Sequence, residues 1–145
     1  MTFRDKALRQ WRYFAMWSGW ITQPRVFDIE GAVPFSPPPV YRVYHEWLLR
    51  AFDAAGVPTV HRNFDAIAWY TAPLIPKRLI EFTGDGRYDK AFRLWGIWLR
   101  AERAIVLLHT QVENATLVRH EMTHDIRDDG LHVLPHFDPK FWNVV

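Results

Sequence analysis

A chain of 145 residues with 49% hydrophobic and 16% aromatic content has the material for one core and is too apolar for a disordered chain. Its formal net charge is +2 with a pI near 9.1, and its basic residues are interspersed with acids, so charge carries no specific nucleic-acid signal. The absence of cysteine excludes disulfides, thiolate zinc sites, iron–sulfur clusters and a thiol nucleophile, while leaving the compartment undecided.

The chain begins with a pattern of Phe3, Ala7, Leu8, Trp11, Phe14 and Ala15 that predicts an amphipathic helix over residues 1–22. Its best apolar stretch, Tyr13 to Ile21, is short and broken by Ser18 and Gly19, with no clean cleavage site after it. No run approaches the roughly 18 apolar residues of a membrane span. The expectation is a protein without secretory signal or membrane span, soluble and cytoplasmic by default or part of a larger assembly. Residues 23–39 hold Pro24, Pro34, Pro37, Pro38 and Pro39 and read as an extended connector with polyproline II character.

From Val40 to about Ala55, the positions Tyr41, Tyr44, Trp47, Leu48, Ala51, Phe52 and Ala55 follow helical spacing, and Gly56 closes the helix. Strand-like runs come after it at Ala66–Thr71, Arg78–Phe82, Phe92–Arg100 and Ala104–Thr110, with Gly84-Asp85-Gly86 as a turn. Ala104-Ile-Val-Leu-Leu is the clearest buried strand. Asn114 then caps a helix to about Arg127, with Gly130 just past its end. The order predicts an α+β fold: a small mixed or antiparallel sheet with a helix bearing the site on one face. Two units are expected, an aromatic and proline-rich arm over residues 1–39 and a catalytic-type domain over residues 40–145.

Within the last helix lies His120-Glu121-Met122-Thr123-His124. Two histidines four residues apart project from one face, with roughly 6 Å of helix rise between them. That spacing suits two nitrogens each ~2.0–2.1 Å from one zinc ion. Glu121, rotated by ~100° from His120, is placed to act on a water rather than to ligate. No glutamate occurs after Glu121. Asp128 shares the helix face, but with His120 and His124 it would form a line of ~12 Å that no tetrahedral site accepts. The third ligand must therefore lie beyond a chain reversal, for which Gly130 is the expected place, and His132 and His136 are the next histidines.

The motif and the residues after it resemble the minimal zincin-type metallopeptidases, including the SprT-like and WLM-like groups and small bacterial HExxH proteins. In those a third histidine is trailed within a few residues by Phe or Phe-Trp, as here in His136-Phe137-Asp138-Pro139-Lys140-Phe141-Trp142. Phe141 falls one position later than in the SprT-like pattern, and the spacing from His124 to His136 is longer than usual. The metzincin pattern fails, since its third histidine would fall at Gly130. The resemblance covers about residues 104–142 and implies His136 as the third zinc ligand, with His132 as the alternative. It also implies that Ala104–Thr110 is the edge strand beside a substrate cleft.

Such a site implies zinc-dependent hydrolysis of a peptide or protein substrate, a metalloprotease activity with Glu121 as general base. Tyr70, Tyr88, His109 and Arg119 are candidates for an oxyanion donor. His45 and His61 read as structural or exposed. Asp125, Asp128 and Asp129 are expected to solvate the helix end, with one of them available to orient a ligand imidazole. The alternative is a zincin-like structural or assembly module that binds zinc without significant protease activity. Its arm, residues 1–39, would dock a protein partner through Trp11, Trp17 and Trp20.

Overall fold

The computed structural model describes residues 23–76, Leu79 and residues 94–130. The expected N-terminal helix and its tryptophans, the Gly84-Asp85-Gly86 turn, Tyr88, His132 and His136 lie outside the described residues, as does all of the expected strand Arg78–Phe82 except Leu79. The fold is α+β, with two α-helices on an open mixed sheet of four strands among the described residues.

Helix α1 spans Pro39–Ala54. Pro39 occupies its first turn, where a missing N–H costs nothing, and Pro38 precedes it in an extended conformation (φ −58°, ψ 151°). The helical repeat turns Tyr41, His45, Leu48, Ala51 and Phe52 inward. The helix ends because Gly56 takes the left-handed conformation (φ 68°). Gly56 N then donates to Asp53 O at 3.2 Å and Val57 N to Phe52 O at 2.9 Å, a Schellman closure.

The strands are β1 (Val33–Pro34), β2 (Ala68–Ala72), β3 (Gly96–Leu99) and β4 (Ala104–Leu108), in the spatial order β1-β2-β4-β3. β4 runs parallel to β2 and antiparallel to β3, and β1 pairs antiparallel with β2. Between β3 and β4 the chain turns through residues 100–103, with Arg103 in the left-handed region (φ 47°, ψ 49°). This corrects the implied edge strand. Residues 104–108 form an interior strand with a neighbour on each side, and they become a 3-10 turn at His109–Gln111 instead of continuing to Thr110. Ala-Ile-Val-Leu-Leu has no polar side and all five residues are buried, so the strand is covered on both faces of the sheet as well as paired on both edges. Among the described residues β3 is the outer strand on that side.

Alternation along the strands divides the core in two. Trp69, Trp98, Ile105 and Leu107 face Tyr41, Leu48 and Phe52 of α1, together with Leu117, Val118, Met122 and Ile126 of the second helix. On the other face Ile97, Leu99, Ala104 and Val106 pack with Ile29, Ile75, Leu79 and Leu94. Each fully buried aliphatic chain contributes about 1.5–3 kcal/mol.

The described part of the expected arm, residues 23–39, is built into this structure. Val33 and Pro34 pair with Thr71 and Tyr70, Phe35 N donates to Trp69 O at 3.0 Å, and Ile29 is buried. Within the proline-rich stretch, Val33 and Pro34 form a strand of the sheet and Pro39 opens α1.

Candidate metal centre

Helix α2 spans Ala115–Arg127 and begins where the sequence predicts, with the Asn114 side chain accepting from Leu117 N at 3.1 Å. Its inward face packs on β3, and it carries His120, Glu121 and His124, all at most 2% exposed.

The Nε2 atoms of His120 and His124 lie 3.2 Å apart, with ring centroids 4.8 Å apart and planes at 82°. Two nitrogens bound to one tetrahedral zinc at ~2.0–2.1 Å are separated by ~3.3 Å, so the spacing of the pair is compatible with such an ion. His124 is held from its other nitrogen, where Nδ1 donates to the backbone carbonyl of Asp129 at 2.8 Å. A carbonyl only accepts, so Nδ1 carries the proton and Nε2 presents a lone pair, the form a metal needs.

The helix end itself creates this arrangement. Asp128 takes the left-handed conformation (φ 51°, ψ 43°), Asp128 N donates to Asp125 O at 3.1 Å, and Asp129 N donates to His124 O at 3.0 Å. This second Schellman closure folds the Asp129 peptide back against His124. The helix thus reverses at Asp128, ahead of the expected reversal at Gly130, and Asp is among the few residues that tolerate the left-handed region.

The acidic residues also differ from expectation. Asp125 does not solvate the helix end but is fully buried. It accepts from Arg103 Nε at 3.2 Å and Nη2 at 2.8 Å, and from Trp98 Nε1 at 3.2 Å. Asp128 receives a two-pronged bond from Arg100 at 3.1 and 3.0 Å and lies 3.5 Å from His61 Nε2. The orienting group for His124 is the Asp129 main chain, not an aspartate carboxylate.

Strand β3 flanks the whole motif. Gly96 and Trp98, two apart and so on one face, lie against successive turns of α2. A Cβ at Gly96 would stand 3.5 Å from Glu121 Cγ and 3.3 Å from Leu117 Cδ1. The Trp98 indole stacks on the His124 imidazole with centroids 5.9 Å apart and planes at 10°. Trp98 and Arg103 are not singled out for the site by the sequence, whereas Asp125 is one of the three aspartates expected at the helix end. The available signals were Trp98 two residues from a strand glycine and an aspartate directly after the second motif histidine.

Of the expected oxyanion donors, Tyr88 lies outside the described residues, and Tyr70, Arg119 and His109 each have contacts of their own. Tyr70 packs with the core on the opposite sheet face. The Arg119 guanidinium lies over the Tyr44 ring at 4.8 Å and near Trp47 at 6.0 Å. Exposed His109 has Nδ1 3.3 Å from the Ala72 carbonyl. His45 is buried, its ring against Phe64 with centroids 5.5 Å apart. Burial pushes its pKa down to about 4, against the partly opposing pull of the Asp125 carboxylate.

Among the described residues no group of three or more His, Asp or Glu side chains converges on one point, and the third-ligand candidates His132 and His136 lie beyond them. No helix among the described residues is long and apolar enough to cross a membrane. In comparisons with known proteins, the chain matches no family model, no curated protein and no solved structure.

Proposed function

We propose that the chain is a zinc-dependent peptidase in which His120, His124 and a third histidine hold the metal and Glu121 is the general base. The third ligand is His136, with His132 as the alternative. The observation that carries this reading is the 3.2 Å separation of the two Nε2 atoms, with the tautomer of His124 set by the Asp129 carbonyl.

A zinc ion bound there supplies Lewis acidity, lowering the pKa of a water and polarising a scissile carbonyl. Glu121 is one residue, and so ~100° around the helix, from His120, which frees its carboxylate from ligation. It takes the proton from the water and delivers it to the leaving amine. Its carboxylate is buried beside the two histidines on the inward face of α2.

The test is metal analysis of the purified full chain together with peptide hydrolysis. Stoichiometric zinc is expected, lost in His124→Ala and kept in Glu121→Gln, with hydrolysis abolished in both. Absence of zinc from the unaltered chain, or hydrolysis that survives Glu121→Gln, overturns the proposal. His136→Ala and His132→Ala identify the third ligand by which of them releases the metal.

A further inference from the structure

We propose that Trp98, anchored by Asp125 and Arg103, is a positioning residue for His124 that holds its imidazole in the plane where Nε2 meets Nε2 of His120. The inference rests on the metal reading above for its functional meaning, but its geometry stands without a metal.

An imidazole on a helix has two side-chain torsions to fix. The Asp129 carbonyl holds one ring nitrogen, at 2.8 Å, but a single hydrogen bond alone leaves the ring able to rock about its side-chain torsions until Nδ1 parts from the carbonyl. The flat face of Trp98, parallel to the imidazole within 10°, opposes that rocking. Trp98 is itself fixed at its far edge, since Nε1 donates to Asp125 Oδ1 at 3.2 Å. Asp125 adjoins His124 in the helix and is clamped by both Arg103 nitrogens. Arg103 sits on the turn joining β3 to β4, so the network ties the outer strand, its turn and the last turns of α2 into one unit.

The bidentate geometry matters here. A planar guanidinium on a planar carboxylate fixes the carboxylate's orientation as well as its position, so Oδ1 stays aimed at the indole. Burying this charge is unfavourable unless it is paired, and the pairing lies immediately behind the candidate ligand. The carboxylate at the indole N–H also enriches the ring face toward His124, which favours an imidazole made more positive by a bound cation.

The test uses the full chain, with zinc affinity measured by competition with a chromophoric chelator. In parallel, the His124 tautomer in the metal-free chain is read by long-range nitrogen–proton NMR correlations. In Trp98→Leu the affinity is expected to fall about 10–100-fold, and the single Nδ1–H tautomer of His124 to become a mixture. Trp98→Phe keeps a ring on the imidazole but has no N–H for Asp125, and a smaller loss of about 3–10-fold is expected. An unchanged tautomer, or an unchanged affinity in a zinc-binding chain, overturns the inference. If Trp98→Leu does not fold, the same two readings on Trp98→Phe decide it. If the unaltered chain binds no zinc, the peptidase reading falls while the tautomer measurement still tests the positioning role.

Discussion

Gly96 faces Glu121 across the interface between β3 and α2: a methyl group added at Gly96 would lie 3.5 Å from Glu121 Cγ, and 3.3 Å from both Leu117 Cδ1 and Leu107 Cδ2. The absent side chain is what lets the outer strand run flush against the turn of helix that bears the candidate base. Trp98, two residues on, fills the same face where His124 stands. One strand therefore presents its smallest residue to Glu121 and its largest to His124.

Substitution at Gly96 is expected to act on both stability and the site. Gly96→Ala asks Leu117 and Leu107 to give by a few tenths of an ångström, whereas Gly96→Val forces the strand off the helix. Overpacking of that kind costs about 1–3 kcal/mol, which lowers the melting temperature by several degrees. Thermal unfolding of the two variants measures this. A Gly96→Val protein as stable as the parent would show that the strand and helix are not in close contact.

The Asp125–Arg103 pair makes an asymmetric prediction. Arg103→Leu leaves a fully buried carboxylate without its cation and should cost about 3–5 kcal/mol. Asp125→Asn keeps an oxygen for Trp98 Nε1, and the Arg103 side chain, 25% exposed, can turn toward water, so the loss should be smaller, about 1–3 kcal/mol. Urea unfolding of both proteins at pH 7 checks the order. Equal losses would contradict it.

His45 predicts an acid limb in the stability profile. Its folded pKa of about 4 lies below the ordinary 6.5, so between these values the unfolded chain binds a proton that the folded chain does not. Stability is therefore complete above pH 6.5 and falls as the pH drops toward 4. Among the described residues Nε2 of His45 finds no hydrogen-bond partner, consistent with a neutral ring held in apolar surroundings. The drop in urea midpoint between pH 7 and pH 4.5 should shrink in His45→Leu relative to the parent. The same drop in both proteins would assign the limb to other groups.

Residues 29–35 predict that the N-terminal region cannot be removed wholesale. Cutting residues 1–39 strips β1 from the edge of β2 and takes away Ile29 and Phe35 from the packed faces, leaving an open strand edge. Aggregation of the remainder is expected on size-exclusion chromatography. The point variant Ile29→Ala should lose about 2–4 kcal/mol. A variant whose stability is about that of the parent would return these residues to the status of a detachable arm.

Local rules were enough for several features. Pro39 and Gly56 bound α1, Asn114 starts α2, and the unbroken apolar run Ala104–Leu108 is fully buried, because capping, proline geometry and hydrophobic patterning act over a few residues. The spacing of His120 and His124 likewise put both rings on one helix face, since 3.6 residues make a turn. Other features depended on which strand came to lie beside which. The position of β4 between β2 and β3 was not legible, because the pattern of a buried strand does not say which neighbours cover it. Nor was the burial of Asp125, whose charge is admissible in the core only because Arg103 arrives from the β3–β4 turn.

At the candidate metal centre the two levels divide in the same way. Residue spacing alone places a pair of histidines and a glutamate on one helix, at intervals suited to a metal. The orientation of His124 needed the folded chain: a helix-ending reversal at Asp128 brings back the Asp129 carbonyl, and the outer strand lays Trp98 on the ring. Helical periodicity fixes which face a side chain leaves from. The direction of its lone pair is fixed by groups that are distant in the chain or folded back onto it.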